Sequence, residues 1–212
     1  MRKKFALQKG EDKRLEISWK GKWKSVAVKL DGQEVGTIPG KAEMLEGRDL
    51  DLPDGSRLRV QLKKITIGPP TLWLYRNDKP LPGSNADPQK RLAVAYRSIF
   101  FIAAGNLLVG AIAAIVEDKA LQDAGFGVLA LIGGAVFLVL GLLVRKRSLP
   151  ALAIAMIILL ADTVFSSYMF IELIDTNAAG RAAWGIFLRV VLLFWMWPGL
   201  AAIREIKERD AN

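Results

Sequence analysis

Two hydrophobic rhythms divide this chain. Between residues 14 and 82, apolar and polar positions alternate with a period of two, the spacing that puts every second side chain on one face of a strand. Val26, Val28 and Leu30 share a face opposite Ser25, Ala27 and Lys29, and Asp31-Gly32 separates this run from Gln33–Ile38. An Asp-Gly pair between alternating runs is a strong hairpin signal, because both turn positions need positive φ. The pair recurs at Asp54-Gly55, between Leu50/Leu52 and Leu58/Val60/Leu62, and Asn77-Asp78 separates residues 71–75 from 79–81. With residues 14–19 as a further strand, the pattern predicts about seven short strands, no helical run, and a small all-β antiparallel sandwich or barrel over residues 1–82. Trp19, Trp23 and Trp73 are the expected aromatic anchors of its core.

The second rhythm is four apolar runs, at residues 92–116, 125–144, 151–171 and 183–203. Each has about the 20 residues that a helix needs to cross the hydrocarbon core, so a four-span transmembrane helical bundle is predicted over 92–212. Residues 83–91, rich in Pro, Gly and polar side chains, are expected to be a linker.

Charge between the spans orients them. Basic residues cluster at Lys90, Arg91 and Arg97, at Arg145, Lys146 and Arg147, and at Arg204, Lys207 and Arg209; the other two connections carry Glu117, Asp118 and Asp123, then Glu172 and Asp175. The excess of Lys and Arg on the cytoplasmic side of membrane proteins then predicts a multi-pass protein of the inner or plasma membrane, with both termini and the β domain in the cytoplasm. No apolar stretch of a signal peptide follows Met1 before Leu15, which fits that orientation. Trp184 is expected at the outer boundary and Trp195 and Trp197 at the inner one, and Pro198-Gly199 is expected to bend or end the fourth helix.

Three strongly polar residues interrupt the spans. Asp162 is about 12 residues from the inner end of the third, roughly 18 Å at 1.5 Å per residue. Arg189, about six residues from the outer end of the fourth, and Asn106, about 14 residues into the first, fall at a similar depth of about 21 Å. A buried cluster of Asn106, Asp162 and Arg189 is therefore predicted, with Thr163, Ser166, Ser167 and Tyr168 as supplementary partners. In the second span Gly127, Gly134 and Gly141 recur every seven residues and form a narrow stripe for close helix packing, within the chain or between copies of it.

Composition narrows the chemistry. Residues 1–91 hold 20 Lys and Arg against 12 Asp and Glu, and residues 92–212 hold 10 against 9, so the net charge of +9 belongs almost wholly to the β domain. A basic module beside a bilayer suits anionic headgroups, and no nucleic-acid-binding motif accompanies the charge. The chain has no His and no Cys, which removes thiolate metal sites, Cys nucleophiles and the usual Ser-His pairing. Neither a G-x-x-x-x-G-K-[ST] nor a G-x-G-x-x-G phosphate loop occurs. The carboxylates at Asp49, Asp51 and Asp54 are expected to be solvated loop groups, and no metal or cofactor is expected.

The hairpin of residues 25–36 with the closing run Leu72-Trp-Leu-Tyr-Arg-Asn-Asp-Lys-Pro-Leu81 resembles the strand-Asp-Gly-strand and closing Asn-Gly-Lys hairpins of the Fas apoptotic inhibitory molecule β-sandwich, with Asp78 in the place of Gly. That resemblance spans about 70 residues, implies a sandwich fold, and supplies no catalytic residue. The whole arrangement also resembles bacterial four-helix membrane proteins of unassigned function. The function expected from the sequence is non-enzymatic: a membrane-anchored binding or scaffold protein whose β domain engages a protein partner or lipid headgroups. A small channel or transporter subunit built on the Asn106/Asp162/Arg189 layer is the alternative and a membrane enzyme the third reading; the layer itself could also join protomers of a homo-oligomer or a membrane partner.

Overall fold

The computed structural model describes residues 1–64, 69–116, 127–172 and 179–211, and the chain divides into two compact units, Met1–Arg91 and Leu92–Asn212. In the first unit the alternating runs form two antiparallel sheets of four strands. One follows the order β1 (Arg2–Phe5), β2 (Leu15–Lys20), β3 (Ser25–Leu30) and β4 (Gln33–Ile38). The other follows β5 (Arg48–Asp51), β6 (Arg57–Lys63), β7 (Thr71–Arg76) and β8 (Lys79–Pro80). Ile17, Val26 and Val28 from one sheet and Leu58, Val60, Leu62 and Leu74 from the other are buried in a single apolar cluster. Complete burial of such side chains is worth about 1.5–3 kcal/mol each.

The hairpins follow the turn chemistry. Asp31 and Gly32 have φ of 52° and 84°, and Asn77 and Asp78 have 47° and 61°. Both pairs therefore make two-residue turns whose twist matches their strands. The Asp54-Gly55 connection is longer: Leu52 donates its N–H to the Ser56 carbonyl at 2.8 Å, and only Gly55 of the pair has positive φ.

Two elements differ from the expected seven strands without a helix. Residues between β4 and β5 form the short helix α1 (Lys41–Glu46), with Met44 fully buried. Its Lys-Ala-Glu-Met-Leu-Glu composition favours helix, but six residues are too few to show a helical period. β1 is made of Arg2, Lys3, Lys4 and Phe5, so it has no apolar alternation to reveal it; backbone pairing with β2, from Arg2 opposite Ser18 to Phe5 opposite Leu15, sets it in place. Trp19 is buried and stacks on Trp23 at 4.4 Å between ring centroids. Trp73 is not a core anchor, because Leu72 and Leu74 take the inward face of β7 and leave it outward, 4.1 Å beneath the Lys63 ammonium.

The segment expected as a linker is folded onto β7. Asn85 donates its N–H to the Leu72 carbonyl at 3.3 Å, the Ser84 hydroxyl donates to the Leu74 carbonyl at 3.4 Å, and Ser84 and Ala86 are buried. Asp87 then caps helix α2 (Pro88–Val116), accepting from the Gln89 N–H at 2.9 Å and from the Gly83 N–H at 2.8 Å. Asp at the cap followed by Pro at the first helical position is a strong helix start, so these residues end the β unit and open the helix together.

The second unit holds the remainder of α2 with α3 (Val128–Arg145), α4 (Leu149–Glu172) and α5 (Ala179–Ala211). Four helices are long and apolar enough to cross a membrane, which makes the chain a multi-pass membrane protein. Their shared core includes Ile99, Ala103, Phe137, Val144, Leu152 and Met196. Residues 125 and 126, expected at the start of the second span, lie outside the described residues, as do the acidic connections at Glu117, Asp118, Asp123 and Asp175. α5 continues through Pro198 to Ala211, so the helix does not end there. Neighbouring helices commonly offset the hydrogen bond that proline loses in a membrane helix, and Gly199 brings α5 close to α2, where an added Cβ would lie 2.6 Å from that of Ala95.

At the α3–α4 turn, Arg147 takes φ of 65° and Ser148 donates its N–H to the Leu143 carbonyl at 3.1 Å. Arg147 pairs with Asp210 near the end of α5, so the basic turn and the basic C-terminal segment share one end of the helical unit.

The glycine stripe packs within the chain. An added Cβ on Gly134 would lie 2.9 Å from the backbone nitrogen of Leu107, and one on Gly141 would lie 2.6 Å from the Phe100 ring. Gly110 answers from α2, where an added Cβ would lie 2.9 Å from the backbone nitrogen of Leu131. Gly127 sits at the end of the stripe as the N-cap of α3. Gly133, one residue off the stripe, meets only the Asn106 amide at 3.9 Å. Gly134→Ala should therefore lower the thermal stability of the detergent-purified protein, by about 1–3 kcal/mol for an overpacked seam, while Gly133→Ala leaves it nearly unchanged. Equal losses from the two would contradict this packing.

Candidate functional site

Two kinds of polar feature stand out, one in each unit. In the helical unit Arg189 Nε donates to Asp162 Oδ2 at 2.5 Å, an ion pair linking α4 and α5. Either charge alone at a helix centre costs about 2.5–3.5 kcal/mol on insertion scales, so pairing offsets a large penalty.

The pair is not the buried three-helix cluster expected. Its side chains are 33% exposed at Arg189 and 47% exposed at Asp162, so it lies on the surface of the helical unit. The cause is helical phase: Thr163 and Leu159 take the inward positions of α4, and Asp162 is turned from Thr163 by about 100°. Asn106 is not brought to the pair. It lies on α2 beside Gly133 of α3, and among the described residues no hydrogen bond joins it to Asp162 or Arg189. Depth along a span fixes one coordinate of a side chain, and the face of the helix fixes the other.

The supplementary partners are also committed elsewhere. The Thr163 hydroxyl donates to the Leu159 carbonyl at 2.6 Å and the Ser167 hydroxyl to the Thr163 carbonyl at 2.8 Å, each on its own helix. Tyr168 is exposed, and among the described residues no hydrogen bond joins Ser166 to Asp162 or Arg189. The buried core of the unit is otherwise apolar, with Ser98 likewise bonded back to Val94.

Two cavities in the β unit are formed by described residues. The larger, about 470 Å³, is lined by Leu7, Leu30, Pro53 and the charged residues Arg14, Asp31 and Asp54. Its charges are already matched. Arg14 Nε donates to Asp31 Oδ1 at 2.7 Å, and this hydrogen bond, followed by the charge of Arg14, holds the Asp31 carboxyl below the ordinary range. Asp54 accepts from the Ser56 hydroxyl at 2.6 Å, from its N–H at 2.9 Å and from Arg76 at 2.6 Å; the Ser56 bonds are the main reason its carboxyl is also lowered.

The smaller cavity, about 190 Å³, differs in kind. Lys3, Lys4 and Lys90 line it with Phe5, Leu72 and Asn85, and no carboxylate does. β1 and the first turn of α2 supply the lysines. Sequence reasoning read Lys90 as a boundary marker and left Lys3 and Lys4 in an unassigned N-terminus, because only the pairing of β1 at the sheet edge brings the two ends of the unit together.

Among the described residues no group of three or more carboxylates is arranged to hold a metal ion. Comparison with known protein families, with curated proteins and with solved structures finds no match.

Two outcomes follow. Asp162→Asn and Arg189→Gln should each destabilise the protein in detergent, and the double variant should lose less than the sum of the two; additive losses would mean that the pair does not couple. Asp54 has a lowered folded-state pKa, so its contribution to stability is present above the ordinary aspartate range near pH 4 and is lost as pH falls through the lower folded value. Asp54→Asn should accordingly reduce the melting temperature at pH 7 and have little effect at about pH 2.

Proposed function

We propose that the protein is a non-enzymatic, membrane-anchored binding module. Its helices hold it in the cell membrane, and its β unit, a small sandwich, is presented at the cytoplasmic face. What carries this reading is where unsatisfied polar chemistry lies. The buried hydroxyls of the helical unit, on Ser98 and Thr163, are spent on their own helices, and Asp162 and Arg189 pair with each other, whereas the β unit holds a cavity whose charged lining residues are all cations. The absence of His and Cys favours binding over catalysis. The shared end of the basic α3–α4 turn and the basic α5 terminus, tied by Arg147 and Asp210, supports the cytoplasmic orientation.

The chain has no Cys, so a single introduced thiol reports its own position. Lys13→Cys, on the exposed surface of the β unit, should resist a membrane-impermeant maleimide in intact cells and react after lysis. Labelling in intact cells would place the β unit outside. In proteoliposomes the wild-type protein should dissipate imposed proton and potassium gradients no faster than protein-free vesicles. A flux abolished by Asp162→Asn would replace binding with transport as the function.

A further inference from the structure

We propose that the cavity between β1 and the start of α2 is a binding site for a phosphate group, carried by the headgroup of an anionic phospholipid. The inference deepens the binding-module reading and rests on it for the leaflet that supplies the lipid. Three observations converge. First, the charged side chains that line the cavity are all cations: Lys3, Lys4 and Lys90 line it, and among the described residues no ion pair joins Lys3 or Lys90 to a carboxylate. Lys4 pairs with Glu16 at 3.6 Å, a residue shared with Arg2 at 3.8 Å, and Asp87 acts on Lys90 through its charge without forming an ion pair with it, while Lys3 opposes it. Like charges gathered around one concavity repel, and a bound anion relieves that repulsion.

Second, the lysines are placed by backbone structure. Alternation along β1 puts Lys3 on the same side of the strand as the buried Phe5. Lys90 is held from the other wall, donating from Nζ to Asn85 Oδ1 at 2.8 Å, while Asn85 is itself tied to β7 through its N–H. That leaves the Asn85 amide nitrogen as a neutral donor beside the ammonium groups. The cap carboxylate of Asp87 already occupies the N-terminus of α2 through the Gln89 N–H, so the lysines and Asn85 make the site, and the helix dipole does not.

Third, Lys90 stands two residues before the apolar run that begins at Leu92, and it belongs to the same helix, α2. By chain continuity it sits within a few ångströms of the hydrocarbon boundary, where lipid phosphates are concentrated. Phe5 and Leu72 supply an apolar wall beside the charges, suited to the glycerol end of a lipid rather than to a fully hydrated ion.

The test uses the full chain purified in an uncharged maltoside detergent. Binding of short-chain phosphatidylglycerol, phosphatidic acid and phosphatidylcholine is counted by native mass spectrometry, and inorganic phosphate is tested in parallel by thermal shift. The anionic lipids should bind and phosphatidylcholine should not. Lys3→Gln and Lys90→Gln should each weaken binding about fivefold, the effect of about 1 kcal/mol per well-placed cation, and the double variant about 25-fold. Lys22→Gln removes the same charge from an exposed turn and should change nothing. Phosphate alone binding with the same lysine dependence, while the lipids do not compete, would keep the phosphate site but assign it a soluble ligand. Equal loss with Lys22→Gln, or equal binding of phosphatidylcholine, would overturn the site. Failure here with Lys13→Cys still protected in intact cells would remove the ligand and leave the binding-module reading; labelling of Lys13→Cys in intact cells would remove the reading itself.

Discussion

Helices in hydrocarbon gain little from burying apolar side chains against one another, because lipid tails are as apolar as leucine. Packing in the helical unit must therefore come from shape and from polar ties, and its main features answer to that constraint. Gly110 and Gly134 let α2 and α3 approach until a methyl group would meet the opposing backbone, and Gly199 does the same between α5 and α2. Ser98, Thr163 and Ser167 turn their hydroxyls back onto their own helices, which satisfies each group without needing a partner helix. Asp162 and Arg189, which no local backbone carbonyl can satisfy as an ion pair, reach across between helices instead.

The β unit obeys the opposite rule. Water drives its two sheets together, and the side chains that share the core are those that alternation assigns to one face. This is why so much of it was legible in sequence. The turns at Asp31-Gly32 and Asn77-Asp78 were readable from turn chemistry, as was the inward set Val26, Val28, Leu58, Val60 and Leu62 from alternation; on β7 Leu72 and Leu74, and not the expected Trp73, take the inward face. Elements without an apolar period were not readable. β1 is written in arginine and lysine, α1 is shorter than two helical turns, and residues 83–87 look like a linker because Pro, Gly and Ser serve caps and tight turns as readily as flexible chain.

In the helical unit the glycine stripe was legible because spacing by seven keeps residues on one face, and the structure seats Gly134 and Gly141 against α2. The polar layer was legible only in part. Counting residues from the ends of the spans placed Asp162 and Arg189 at matching heights, and they meet. The same count placed Asn106 beside them, and it lies on another seam, since height says nothing of azimuth. The lysine cavity had no local signature at all. Its cations come from positions 3, 4 and 90, and only the registration of β1 with β2 closes the distance between the first strand and the last turn of the unit.

The position of β1 has another consequence. It is an edge strand, and an edge strand leaves a row of backbone donors and acceptors unpaired, open to a strand from another molecule. At the opposite edge of the second sheet, β8 is only two residues long and offers little to pair with. β1 has four residues, and Arg2, Lys3 and Lys4 place a cation at each of its first three positions. Two chains meeting along that edge would bring six cations together. The charges that make this corner of the molecule attractive to anions thus also discourage sheet-to-sheet aggregation, which matters for a protein confined with its copies to the plane of a membrane.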